Sequence, residues 1–143
     1  MYDIAANSRV YVDSNIFIYF IENTPKFHSR VESLFEEISR VDATIMTNEI
    51  AIAECLYQPA KTRNTNLIRI YESFFEAPGQ IEIDLLTGEL CKQAALHGGA
   101  LGLKLIDAIH YFSAFEAGCS HFVTSDTSFK SGPKMKVLLI SAD

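Results

Sequence analysis

The sequence has no tryptophan, and its three cysteines include no CxxC pair. Cys55, Cys91 and Cys119 are odd in number and far apart, a spacing that excludes zinc-ribbon and dithiol redox motifs. Residues 1–8 lack a long apolar stretch, so no secretory leader is read there. Lone cysteines without such a leader point to a reducing, cytoplasmic setting. The longest apolar run, 16–21, is far too short to span a bilayer. Basic residues are also scarce: 12 Lys and Arg face 18 Asp and Glu, for a net charge of −6 and a pI near 5.2. That balance argues against a broad basic surface as the main device for holding nucleic acid. It leaves open a site where bound cations supply positive charge locally. Repeats, low-complexity tracts and linkers are absent, so the 143 residues read as a single domain, 1–143.

What is present is a core. Hydrophobic residues make up 48% of the chain, with ten Phe and six Tyr supplying the large groups. Arg9–Val12 reads as a buried strand, followed by a helix over 14–22 that is apolar nearly all round and so deeply buried. Pro25 breaks it. A second helix over 26–40 places Val31, Leu34, Phe35 and Ile38 on one face. A short strand at 43–46 leads to Thr47 and Asn48, good caps for a helix ending near Pro59. Further helices are predicted at 64–75, 87–97 and 105–117, with Pro78-Gly79, Gly98-Gly99 and Gly118 as their stops. Strands at 81–83, His121–Thr124 and 137–140 complete the alternation. Strands alternating with helical crossovers imply an α/β fold, a three-layer α/β/α sandwich around a mostly parallel sheet of about five strands. In such folds ligands bind outside the carboxyl ends of the strands, at a switch point.

Four carboxylates stand out. Asp13 follows the first strand, where Asp commonly caps a helix. Asp126 follows the strand at 121–124, where an Asx turn is its plain role. Glu54 lies in Ile50-Ala51-Ile52-Ala53-Glu54-Cys55-Leu56, with no cation three or four residues away. Its plain role is to sit at the solvent edge of a mostly buried helix. Asp107 lies in Leu105-Ile106-Asp107-Ala108-Ile109-His110, with Lys104 as a possible local ion-pair partner. Each acid alone has an ordinary explanation. As a set, two fall at strand ends and two in apolar helices, and a parallel sheet can bring all four to one edge. Carboxylates about 5 Å apart repel by roughly 3 kcal/mol per pair at an effective dielectric of about 20. Such a cluster needs protons or a cation, and oxygen ligands without nearby cysteine suit Mg²⁺ or Mn²⁺. A hard cation there would polarise a phosphoryl oxygen and activate water for in-line attack. Asn15, Thr124 and Ser125 lie beside these acids and could orient water, phosphate or ligand oxygens, or simply make turn and cap bonds.

The motifs Val12-Asp13-Ser14-Asn15, Ala53-Glu54, Asp107-Ala108-Ile109-His110 and Val123-Thr124-Ser125-Asp126 resemble those of the PIN-domain family, especially VapC-type toxins of toxin–antitoxin pairs. Their order and spacing agree across nearly the whole chain. The resemblance implies a metal-dependent endoribonuclease with Asp13, Glu54, Asp107 and Asp126 as catalytic metal ligands and Thr124 in support. It also implies an RNA substrate, a homodimer and an antitoxin partner that covers the active site. Many relatives carry a further acid where this chain has Ser128, and often Arg where Lys104 stands. Lys104 can still meet a phosphate, though as a point charge.

Other features are read more plainly. His110, one turn beyond Asp107, is expected to be a packed or solvent-bridged histidine, because carboxylates already suffice as ligands. Lys61, Arg63 and Arg69 form a modest basic stretch, read as a solvated helix face ahead of an RNA contact. No GxxxxGK pattern accompanies Gly98-Gly99 and Gly102. Two alternatives stand beside the nuclease. One is a catalytically weak PIN module acting mainly through protein binding, to which Ser128 lends support. The other is an aspartyl-phosphate protein, disfavoured because Asn15 replaces the second Asp of a DxD pattern and no acidic pair follows the first strand.

Overall fold

The computed structural model describes residues 2–79 and 81–142. Chain order is β1 (Arg9–Val12), α1 (Ser14–Ile21), α2 (His28–Arg40), β2 (Thr44–Asn48), α3 (Glu49–Lys61), α4 (Thr65–Glu76), β3 (Ile81–Asp84) and α5 (Gly88–Gln93). A π-helical turn at Ala94–Gly98 prolongs α5, and α6 (Leu105–Glu116), β4 (His121–Thr124) and β5 (Lys136–Leu139) follow. All strand pairings are parallel, in the order β3-β2-β1-β4-β5. The chain therefore steps outward from β1 to β3, then returns to the other side of β1 for β4 and β5. That reversal opens the crevice between the carboxyl ends of β1 and β4.

Strand side chains alternate between faces, and the core divides accordingly. Val10, Val12 and Val123 pack with Ile16, Phe17, Val31, Leu34, Ile38, Cys55, Tyr71 and Phe75, the inner faces of α1 to α4. Tyr11 and Phe122 point the other way and pack with Met46, Ala114 and Met135, while Leu90 and Ala94 pack with Ala108 and Ile109 to seat α5 on α6. The result is the expected three-layer α/β/α sandwich, with five parallel strands.

Element ends depart from the sequence reading where backbone chemistry intervenes. Gly98 and Gly99 do not stop the helix; the helical path runs through both. A Cβ on Gly98 would lie 2.3 Å from the Ala108 Cβ, so glycine serves close helix packing there, and the turn falls at Gly102, with φ +75°. Helix α2 starts at His28, later than expected, because Lys26 takes a positive φ of 72° in the turn after Pro25. Pro59 sits inside α3, near its end. Among the described residues no helix is long and apolar enough to cross a membrane. A cavity of about 420 Å³ lies between Phe20, Phe35 and Phe74 at the amino ends of β2 and β3, marked by Thr44, Ile45 and Ile81. It is at the opposite end of the sheet from the acids.

Candidate active site

Asp13 is set by the end of β1. Its backbone N–H continues the ladder to the Val123 carbonyl at 2.9 Å, which fixes its place in the crevice. Its side chain caps α1, accepting from the Ser14 N–H at 2.8 Å, and its other oxygen accepts from the Thr124 hydroxyl at 2.8 Å. The cap and the cluster are thus served by one carboxylate, 5% exposed. Thr124 in turn accepts from the Asp126 N–H at 3.1 Å, and Asp126 forms the expected Asx turn by accepting from the Ser128 N–H at 2.9 Å.

Glu54 reaches the same crevice from α3, with 38% of its side chain accessible. Its Oε1 accepts from His110 Nε2 at 2.5 Å, and that nitrogen is 3.6 Å from Asp13 Oδ1. A carboxylate oxygen can only accept, so Nε2 carries a proton, and Nδ1 pairs with the Tyr11 hydroxyl at 2.7 Å. His110 is 1% exposed and the Tyr11 side chain is fully buried. Burial holds the Tyr11 phenol well above its usual pKa, so it keeps its proton. The ligand atoms of Asp13, Glu54 and His110 all lie within 4.8 Å of one another.

Asp107 projects from the first turn of α6, half-buried. Burial, together with the charges of Asp126, Asp13 and Glu54, pushes its carboxyl above the usual carboxylate range, while His110 pulls the other way. All four sequence-selected acids therefore share one electrostatic neighbourhood. Lys104 forms the exposed cap residue of α6 and makes no ion pair with Asp107, which removes the local salt bridge as that acid's explanation. Asn15 is exposed on the first turn of α1. Ser125 pairs with the Tyr19 hydroxyl at 3.1 Å. Lys61 lies over the Tyr57 ring, and Arg63 and Arg69 are exposed.

A second polar network braces the neighbouring strand ends. Asn48 caps α3 through the Ile50 N–H at 3.0 Å and donates to Ser113 Oγ at 3.1 Å, which donates to Asp84 at 2.9 Å. It ties α6 to β2 and β3, so the helix bearing Asp107 and His110 is held along its length. The sequence reading gave Tyr11 no part in the site and ranked a metal role for His110 behind a packed or solvent-bridged one. Two signals were available: Tyr11 shares a strand face with Asp13, and His110 shares a helix face with Asp107.

The donor set fits a hard cation. Within ligand distance it offers the carboxylates of Asp13 and Glu54 and the imidazole of His110, with no sulfur, while Asp107 and Asp126 reach this group through their charges. Asp13, Glu54, Asp107 and Asp126 are the residues that could hold it. His110 lies within range, but its Nε2 proton is already engaged by Glu54.

The PIN domain pattern matches residues 10–134. The chain belongs to the PIN-domain family. No curated protein matches it significantly. Solved structures share its fold. The Rickettsia felis VapBC2 complex bound to a promoter DNA fragment superposes with a TM-score of 0.72 at 18% identity, covering 93% of this chain and 99% of that one. Mycobacterium tuberculosis VapC20, a toxin that cleaves the sarcin–ricin loop, gives 0.67 at 12% identity, covering 79% and 86%. A toxin–antitoxin complex from Klebsiella pneumoniae gives 0.63 at 16% identity, covering 88% and 94%. The PIN fold thus spans nearly the whole chain, and its strand-end crevice is where the acids stand.

Proposed function

We propose that this PIN-domain protein is a metal-dependent endoribonuclease that hydrolyses RNA phosphodiester bonds as the toxin of a VapBC-type pair. The observation that carries this reading is the meeting of Asp13 and Glu54 within ligand distance in the crevice, with the charges of Asp107 and Asp126 acting on the same neighbourhood, in a chain of this family. Mg²⁺ or Mn²⁺ held by those acids would supply charge neutralisation at the phosphate and a more acidic water. The chain's own residues do the positioning. Thr124 and Ser14 hold both oxygens of Asp13, Ser128 orients Asp126, and His110 orients Glu54. Lys104, exposed at the start of α6 three residues before Asp107, would meet a phosphate oxygen.

The similarity to toxin–antitoxin complexes supports a cognate antitoxin, and homodimerisation is the expectation that the family resemblance implies. The three free thiols, Cys55, Cys91 and Cys119, support action in the cytoplasm.

The test is cleavage of structured and single-stranded RNA by purified, inhibitor-free protein with Mg²⁺, Mn²⁺ or EDTA, alongside Asp107→Asn. Cleavage by the wild type alone, lost in EDTA, is expected. A folded Asp107→Asn variant that cuts as fast as wild type would overturn the assignment. A folded, metal-binding wild type that cuts none of these RNAs would favour a binding module.

A further inference from the structure

The acids of the crevice come from opposite layers of the sandwich. Glu54 stands on α3, whose buried face packs with α1 and α4, whereas Asp107 stands on α6, across the sheet. Strand ladders fix Asp13 and the start of the Asp126 turn, but no ladder links α3 to α6. Ile50 of α3 packs against the cluster that holds Ala108 and Ile109, Asn48 at the start of α3 bonds Ser113, and the hydrogen bond from His110 Nε2 to Glu54 Oε1, at 2.5 Å, is the link that acts on Glu54 itself. His110 is itself held from below by the Tyr11 hydroxyl at 2.7 Å, with the two rings edge-on at 5.8 Å. Tyr11 is also locked in place, stacked on Phe122 with an interplanar angle of 3°. The Thr47 hydroxyl beside it donates to the Val12 carbonyl at 2.9 Å.

We infer that Tyr11 and His110 form a positioning strut that aims Glu54 at the cation, and that the strut, rather than α3 itself, sets the spacing between Glu54 and Asp13. Glu54 needs such a device. It is a long side chain with several rotatable bonds, part-exposed on a helix whose neighbouring residues are apolar, and free rotation would spread its oxygens over several positions. One oxygen is pinned by the imidazole, and the other is left for a ligand role. Support of this kind raises metal affinity by holding the ligand in its bound geometry before the ion arrives.

The inference rests on the metal-dependent reading above, and calorimetric titration with Mn²⁺ in the absence of RNA separates the two. His110→Gln keeps an N–H donor near the position of Nε2, whereas His110→Asn keeps one nearer Nδ1 and leaves Glu54 unheld. Both retain a polar side chain in the cavity, so a merely structural role would move them alike. His110→Asn is expected to weaken Mn²⁺ binding by about 10- to 100-fold, the usual loss for a ligand's supporting partner. His110→Gln should bind more tightly than His110→Asn, and Tyr11→Phe should show a smaller loss. In a Glu54→Gln background the His110 substitutions should add nothing further, because the residue they act through is already gone. Circular dichroism checks folding, and Tyr11→Phe, which keeps its ring, carries the comparison if the His110 variants unfold. Equal affinities for the Gln and Asn variants, or an undiminished His110 effect in the Glu54→Gln background, would overturn the strut alone. A wild type that binds no Mn²⁺ would overturn both the strut and the metal-dependent reading.

Discussion

Replacing Glu54 by glutamine should leave the metal-free protein as stable as before or more so, and make it the less stable of the two once Mn²⁺ is added. The ligand oxygens of Asp13 and Glu54 lie within 4.8 Å. Two unit charges at that distance repel by about 3.5 kcal/mol at an effective dielectric of about 20, and by about 0.9 kcal/mol at about 80. With 38% of the Glu54 side chain accessible, a value of about 1–2 kcal/mol is appropriate. Against that relief, the bond from His110 Nε2 changes from charged to neutral, a loss of about 1 kcal/mol. The balance is about 0–1 kcal/mol in favour of the variant, or up to about 4 °C in Tm for a chain of this size. Metal acts in the opposite sense. At about 100 times its Kd it adds about 2.7 kcal/mol to the wild type, while a variant binding about tenfold more weakly gains about 1.4 kcal/mol. The two melting curves should therefore change order between EDTA and Mn²⁺. Scanning calorimetry at one fixed pH reads both conditions. A variant that melts several degrees below wild type in EDTA, with both proteins raised equally by Mn²⁺, would show that Glu54 is a structural partner of His110 and no ligand.

Further outcomes follow from the same geometry. Asp107 has a raised pKa in the folded state, so its contribution to stability is fully present below the ordinary value of 3.8 and is lost as pH rises through the folded value. In EDTA, Asp107→Asn should thus melt above wild type at neutral pH, with the gap closing toward pH 4; a gap independent of pH would contradict this. Thr124→Val removes the hydroxyl that bridges Asp13 and the Asp126 N–H, leaving a buried carboxylate oxygen short of a donor. Urea unfolding should show a loss of about 1–3 kcal/mol, with slower cleavage than wild type. Gly98→Ala places a methyl against Ala108, next to Asp107, where one side must move. A loss of about 1–3 kcal/mol is expected from overpacking, and unchanged thermal stability would show that the two helices are not held together there.

Much of this arrangement was legible in the residues. The strands at Arg9–Val12 and His121–Thr124 were read to the residue, because apolar runs there end abruptly in polar turns. The others slid by a position or two, as strand ends do when the flanking residues tolerate either state. The four acids stood out because each breaks an apolar pattern or closes a strand. His110 and Tyr11 did not, since a histidine and a tyrosine in an apolar segment look like any packed ring until their partners, 56 and 99 residues away, are known. Gly98 was misread for a related reason. A glycine near a helix end signals a stop locally, and only the neighbouring helix shows that its value lies in the missing Cβ.

The strand order also bears on how the chain is made. The central strand β1 leaves the ribosome well before its β4 neighbour; the Asp13–Thr124 bond joins residues 111 positions apart. Until then, one edge of the innermost strand has no mate, the arrangement most open to mispairing with another nascent chain. A message cut short before that point would yield a chain with one side of its sheet missing and the crevice unclosed. The crevice is thereby completed only when β4 and the turn bearing Asp126 have been made and docked on β1.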